Sequence, residues 1–274
     1  MRNNKTAELV LTSLFTAIII IMAFTPLGYI PLGVFNATII HIPVILGALF
    51  CGPKKGAFLG FVFGLTSFIK NTIMPSSASS IDFSPELATS VVGTSGIFKS
   101  AIIGVVPRIL VGVVPVFVYI AVKKLLSMEQ KKAWATVLNL LIGVFLFVGI
   151  RAFVSSSFGG SGRTALLIGA AAGVIAAVLL EVFTVKKNGN VVAFIYAGVT
   201  GAMTNTILVM GGILVLYKDA YAEALTIDPS AVMGIVSATI SFNGVIEAIV
   251  AAIIVSAIGL VLNRIKPIET KSEK

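Results

Sequence analysis

The chain is built largely of apolar runs long enough to cross a lipid bilayer, and that property limits every other reading of it. A spanning helix needs roughly 20 mostly apolar residues, and such runs recur along the 274 residues, separated by short basic or glycine-rich breaks. With 57% hydrophobic and only 11% charged residues, too little polar surface remains to cover a water-facing globule. The runs predict helices. A barrel strand alternates apolar and polar residues over about ten positions, whereas the run from Ala165 to Val182 has no such alternation.

The pattern predicts eight spans, at 9–30, 37–51, 56–73, 99–122, 133–157, 164–184, 190–217 and 230–263, the second and third being short. Placing the N-terminus inside puts fourteen Lys and Arg on the cytoplasmic side and only Lys70, Lys99, Arg163 and Lys218 on the other, while Arg108 and Arg151 fall within spans. This bias predicts that both termini are cytoplasmic in a multi-pass protein of a prokaryotic plasma membrane. It also accounts for the net charge of +9 without a nucleic-acid partner, since the cations orient the chain in lipid. The first span follows a basic segment but lacks an A-x-A cleavage site, so it reads as an anchor rather than a removed leader. Met74 to Phe98 forms the longest external loop, rich in Ser with Asp82 and Glu86. A loop of that length is either a functional lid or a solvated tether.

Enzyme chemistry finds no support. There is no HExxH, no G-x-S-x-G, no Gly-rich dinucleotide fingerprint and no phosphate-binding G-x-x-x-x-G-K-[ST] loop. The chain therefore does not hydrolyse ATP itself and is predicted to hold no cofactor. A single cysteine, Cys51, and a single histidine, His41, provide neither a disulfide framework nor an imidazole or thiolate metal site.

Polarity at membrane depth is costly and tends to mark pathways or pockets. Arg108 lies nine residues into its predicted span, about 13 Å from the outer end, and Pro107 before it can free a backbone carbonyl. It would receive an anion, or else pair with an internal carboxylate such as Glu247. Asn243 and Glu247 are four apart and share a face of the last span. Asn205 lies at similar depth within Thr204-Asn205-Thr206. Asn side chains suit amide or hydroxyl ligands, but also tie helices together. Thr66, Ser67 and Asn71 occupy the outer end of the third span, and His41 begins the second. Gly56, Gly60 and Gly64 form a ridge for close helix contact, and Ser13 with Ala17 makes a second small pair on the first span.

These features resemble a known family, the substrate-binding S components of energy-coupling factor (ECF) vitamin transporters, and most resemble its pantothenate-type members. The resemblance rests on His41-Ile42-Pro43-Val44-Ile45-Leu46-Gly47-Ala48, on Gly52-Pro53-Lys54-Lys55-Gly56-Ala57 leading to Gly64-Leu65-Thr66-Ser67-Phe68, and on Pro107-Arg108-Ile109-Leu110-Val111-Gly112. Thr204-Asn205-Thr206-Ile207-Leu208-Val209 and Asn243-Gly244-Val245-Ile246-Glu247-Ala248 complete it, in the family's order. It implies a subunit that captures a vitamin outside and releases it inside when docked on a transmembrane T component driven by two cytosolic ATPases, which alone consume ATP. It also implies substrate contacts at Arg108, Asn205 and Asn243, with Thr66, Asn71, His41 and Glu247 as additions, and docking through Ser13 and Ala17.

The family has six helices and the pattern here gives eight. The expected fold is thus an all-α transmembrane bundle: a six-helix core, formed by 1–130 and 188–274, plus an inserted two-helix hairpin at 131–187, where Arg151 would snorkel or pack. Pantothenate is the leading substrate, because its carboxylate suits Arg108 and its amide and hydroxyls suit the Asn side chains. Trp134, the sole tryptophan, lies on the cytoplasmic side of the hairpin and offers no stacking surface to a flat vitamin such as riboflavin or thiamine, which leaves only Phe and Tyr to stack on one. The competing readings are an S component for another vitamin such as riboflavin or folate, an autonomous transporter of a small anionic nutrient using Glu247 as its proton carrier, a membrane enzyme, and a purely structural subunit.

Overall fold

Seven helices among the described residues are long and apolar enough to cross a membrane, with one shorter apolar helix tucked between them. They come from a computed structural model describing residues 2–32, 35–75, 80–158, 162–186 and 190–268. The long helix α1 (Arg2–Phe24) leads through a 3₁₀ turn at Pro26–Gly28 into a hairpin of β1 (Tyr29–Leu32) and β2 (Phe35–Thr38). The short α2 (His41–Cys51) and the spanning α3 (Pro53–Ile73) follow, then two small external helices, α4 (Ser80–Phe83) and α5 (Pro85–Val92). The next span is divided into α6 (Ser95–Val111) and α7 (Val114–Leu126). Beyond it come α8 (Lys131–Phe158), α9 (Gly162–Lys186), α10 (Asn190–Leu216) and a small helix α11 (Lys218–Leu225). The last span joins α12 (Val232–Thr239), a π-helical turn at Ile240–Gly244 and α13 (Val245–Ile265).

The eight-helix pattern is therefore present, but boundaries differ from expectation, and α2 starts at His41 rather than residue 37 and α3 at Pro53 rather than residue 56. The first span stops at Phe24 rather than residue 30, because Pro26 disfavours helix at Thr25, which is extended. The following residues pair as an antiparallel hairpin with Tyr29 opposite Thr38. The expected external loop 74–98 carries α4 and α5, with Ser84 capping α5 by accepting from the Leu87 N–H at 3.3 Å; residues 76–79 lie outside the described set. The fourth expected span starts four residues earlier, at Ser95, and breaks at Gly112–Val113, just before Pro115. The last span is interrupted by the π turn.

Packing follows the small residues. A Cβ added at Gly56 would overlap the Gly112 carbonyl oxygen, and one at Gly60 would overlap that of Arg108. The glycine ridge of α3 thus lets α6 approach backbone to backbone, which fixes the height of Arg108 in the bundle. One large apolar cluster joins α1, α2, α3, α7, α10 and α13, with Phe15, Ile45, Phe63, Tyr119 and Phe194 at its centre. By contrast, α8 and α9 pack mainly on each other, and little of α9 is fully buried. They form a hairpin beside the core.

Candidate functional site

Arg108 sits at the level where six elements meet. It is only 6% exposed and lies 13 residues, about 20 Å, from the start of α6. Pro107 has no N–H, so the Ile103 carbonyl four residues earlier loses its helical donor. The Arg108 side chain turns back along its own helix, and Nη1 donates to that Ile103 oxygen at 2.7 Å. Nε has no partner. The guanidinium lies 4.6 Å from the Phe83 ring centre and 5.5 Å from that of Phe63, distances at which a cation is attracted to the ring face.

Glu247 is 4% exposed and is held by the core without a salt bridge to Arg108. Its Oε1 accepts from the Thr38 backbone N–H at 2.7 Å and its Oε2 from the Thr206 hydroxyl at 2.7 Å. The carboxylate therefore ties β2 to α10 and α13. Among the described residues Arg108 forms no salt bridge; Glu8 with Lys55, at the other end of the bundle, does. Glu247 and Tyr29 lie within electrostatic reach of the guanidinium, and Lys70 stands 3.6 Å over the Tyr29 ring.

The two asparagines belong to this level. On α10, Gly201 abuts Ile45 and Pro115 while Gly212 abuts Ile103. Asn205 is one turn above Gly201 and two turns below Gly212, so it lies on the same face, at the height of Arg108 between Ile103 and Pro115. Its Oδ1 is buried without a partner. Asn243 lies in the π turn, a helix irregularity frequent at functional sites, and its Oδ1 is likewise unpartnered. His41 is fully buried at the start of α2, beside the Thr38 backbone, and neither ring nitrogen makes a hydrogen bond. Thr66 and Asn71 are turned to α3 itself: the Thr66 hydroxyl donates to the Phe63 carbonyl at 2.9 Å and the Asn71 amide to that of Ser67 at 2.8 Å. Arg108, Asn205, Asn243, His41 and Glu247 thus come together, whereas Thr66 and Asn71 flank them toward the external helices.

Above this level α4 and α5 pack on α3 and α6. Phe83 faces Arg108, while Asp82 beside it is 1% exposed with its Oδ2 unpartnered. Burial pushes the Asp82 carboxyl up to about 8. Thr72 and Ser84 share a hydrogen bond of 2.8 Å that pins α4–α5 to the top of α3.

A sequence profile of the family described as "ECF transporter, substrate-specific component" matches residues 7–160. The chain belongs to this family. Among curated relatives, the "Pantothenic acid transporter PanT" of Lactococcus lactis subsp. cremoris is 37% identical over 157 residues, covering 54% of this chain and 78% of the relative. The "Pantothenate transporter PanT" of Leuconostoc mesenteroides subsp. mesenteroides is 35% identical over 119 residues, covering 42% of this chain and 51% of that protein. The family is a class of transporter subunit and not of enzyme.

The small residues of α1 lie on an exposed face of that helix. Ser13 and Ala17 are exposed on α1, and Leu9, Val10, Leu14 and Ile21 are exposed with them. Arg151 is exposed on α8, its Cβ packed over Gly169 of α9, as a packing role requires. Sequence reasoning missed Tyr29, Thr38, Phe63 and Phe83. The first two sit on a hairpin whose Pro26, Gly28 and Pro31 punctuation was legible as helix-breaking. Nothing in their own positions marks the two phenylalanines.

Proposed function

We propose that this substrate-specific component captures pantothenate from outside the cell and releases it inside while docked on a T component driven by two cytosolic ATPases. The observation that carries the reading is the buried Arg108 guanidinium, unpaired by any carboxylate and with Nε free, at one level with unpartnered groups of Asn205, Asn243 and His41. Holding an arginine at membrane depth costs about 2.5–3.5 kcal/mol, a cost that a carboxylate ligand would offset by a charge-assisted bond. The amide and hydroxyls of pantothenate match the leftover Asn oxygens and His nitrogens in donor and acceptor character. The names of the two relatives support the same vitamin.

In this reading residues 1–130 and 188–274 form the transport core, and 131–187 is an addition to it. Both termini face the cytoplasm of a prokaryotic cell, Ser13 and Ala17 meet the T component, and ATP is consumed only by the partner ATPases. The helices α4 and α5, with Phe83, act as the outer cover of the pocket. Thr66 and Asn71 contribute at its outer rim.

The test is equilibrium binding of labelled pantothenate to the purified chain, followed by pull-down from its native membrane. Saturable binding that excess riboflavin, thiamine or folate does not displace is expected, with a T component and two ATPases recovered alongside. Tight riboflavin binding without pantothenate binding would overturn the substrate. Uptake into liposomes by this chain alone would replace the ATP-driven scheme with a proton-coupled one using Glu247.

A further inference from the structure

The added hairpin does not seal against the core along its whole length. At the basic end the Tyr196 hydroxyl of α10 donates to the Leu138 carbonyl of α8 at 2.6 Å. Toward the opposite end Val245 of α13 lies against Gly149 of α8, and the rings of Phe153 and Phe242 are 4.7 Å apart. Between these two contacts α8 and α9 stand away from α10 and α13, leaving a cavity of about 420 Å³ walled by Ile142, Phe145, Ala176, Leu179, Val199 and Ala252 among others. Its one polar lining side chain, Ser256, spends its hydroxyl on the Ile253 carbonyl at 3.0 Å.

Such a space offers nothing to water or to a polar solute. An apolar cavity stays dry, and an empty one forfeits the dispersion contacts of its lining. A single hydrocarbon chain is the occupant of the right chemistry and width.

Charge says which hydrocarbon chain. The helix ends nearest the groove carry exposed Lys131 and Lys132 at the start of α8 and exposed Arg264 near the end of α13. Ile142 lies eleven residues along α8 from Lys131, about 16 Å, and Ser256 eight residues along α13 from Arg264, about 12 Å. Half of a bilayer's hydrocarbon core is about 15 Å deep. A headgroup resting among these cations therefore places its acyl chain at the depth of the cavity. We propose that the groove between the hairpin and the core is a binding site for one acyl chain of an anionic phospholipid, whose headgroup is held by Lys131, Lys132 and Arg264. The lipid fills the joint and braces the hairpin on the core.

The experiment is native mass spectrometry of the delipidated full chain titrated with an equimolar mixture of phosphatidylglycerol and phosphatidylcholine. One saturable phosphatidylglycerol is expected, preferred about fivefold or more, the factor that one interfacial cation contributes. Ala252→Phe and, from the opposite wall, Ala176→Phe fill the cavity and should each weaken binding of both lipids about tenfold, roughly 1.4 kcal/mol. The triple change Lys131→Gln, Lys132→Gln, Arg264→Gln leaves the cavity intact and should abolish the preference while keeping occupancy. Ser256→Ala should change nothing. Absence of a saturable lipid, equal binding of the two lipids by the unaltered chain, or undiminished binding by either Phe variant with an unaltered melting temperature would overturn the proposal.

Discussion

Glu181 and Glu247 both lie within spanning helices, and their surroundings differ in one respect that separates glue from a receptor. In the hairpin, Glu181 of α9 accepts from the Thr136 hydroxyl at 2.7 Å and from the Asn139 amide at 2.8 Å, and that amide also reaches the Thr184 hydroxyl at 3.3 Å. In the core, Glu247 accepts from a backbone N–H and from a threonine hydroxyl. Each acid thus ties elements together with a similar set of donors. What remains unsatisfied is different. Around Glu181 the leftover is one buried acceptor, Asn139 Oδ1, whereas around Glu247 it comprises Arg108 Nε, both His41 nitrogens and the Oδ1 atoms of Asn205 and Asn243. Buried polar groups in native proteins are nearly all partnered. A concentration of unpartnered ones, including a guanidinium, is the mark of a place that expects a polar ligand, while polarity inside a span by itself is not.

The sharpest way to break this comparison is to remove the guanidinium. Arg108→Met keeps length and apolar bulk, and loses a charge-assisted bond of about 1.5–3 kcal/mol. Pantothenate affinity should fall about 10- to 100-fold by equilibrium binding, with the melting temperature held or raised, because an uncompensated buried charge has gone. Glu181→Leu should do the opposite. It leaves the Asn139 amide with only its longer contact to the Thr184 hydroxyl and should cost about 1 kcal/mol of stability, read as a lowered melting temperature, with pantothenate affinity unaltered. If the Glu181 change weakened binding as much as the Arg108 change, the division into glue and receptor would be wrong.

A smaller effect concerns the outer cover. Burial lifts the Asp82 carboxyl from the ordinary 3.8 to about 8, so between those values the folded chain keeps a proton that the unfolded chain has released. A group raised in this way adds no penalty below the lower value. It destabilises its surroundings progressively as pH climbs toward the upper one, and the effect is level beyond it. Tyr217, between α10 and α11, and Tyr221 of α11 are titratable groups beside it; they are pushed up by burial and by the carboxylate itself, so they do not charge in this window. Protection of the α5 amides from hydrogen exchange should fall as pH rises from about 4 to about 8 and level off above that, after correction for intrinsic rates. Asp82→Asn should remove that fall. A pH-independent α5 in the unaltered chain would show that the cover is held by its apolar contacts alone.

Much of this was legible beforehand because the bilayer forces sequence and structure to agree. A run of about 20 apolar residues in lipid has few alternatives to a helix, and the spacing of Gly56, Gly60 and Gly64 specified a close partner without naming α6. Arg108 and Glu247 were visible for the reason that makes them informative, their cost at depth. Their relation was not. Glu247 is held by Thr38 and Thr206 and forms no ion pair with Arg108, and Thr38 comes from a hairpin that the apolar pattern absorbed into the first two spans. Four-residue strands in such a sequence have no period distinct from that of a helix end, and only Pro26, Gly28 and Pro31 mark the interruption. Phe83 was hidden for another reason: a phenylalanine in a serine-rich loop gives no indication of which deep charge it will cover.

The smallest effect tests whether the two regions are coupled. The Tyr196 hydroxyl spans from the core to the hairpin through the Leu138 carbonyl, an oxygen that in α8 also accepts from the helix's own backbone. Tyr196→Phe therefore strands no acceptor, and its cost should stay near or below the ~1 kcal/mol of an ordinary hydrogen bond. The melting temperature should drop by a degree or two at most, and pantothenate affinity should stay within twofold. Tyr196 stands nine residues, about 13 Å along α10, from Asn205. A several-fold change in affinity would mean that the hairpin's seat on α10 reaches the binding level through that helix, and the addition would then be part of the transport machinery and not only a neighbour of it.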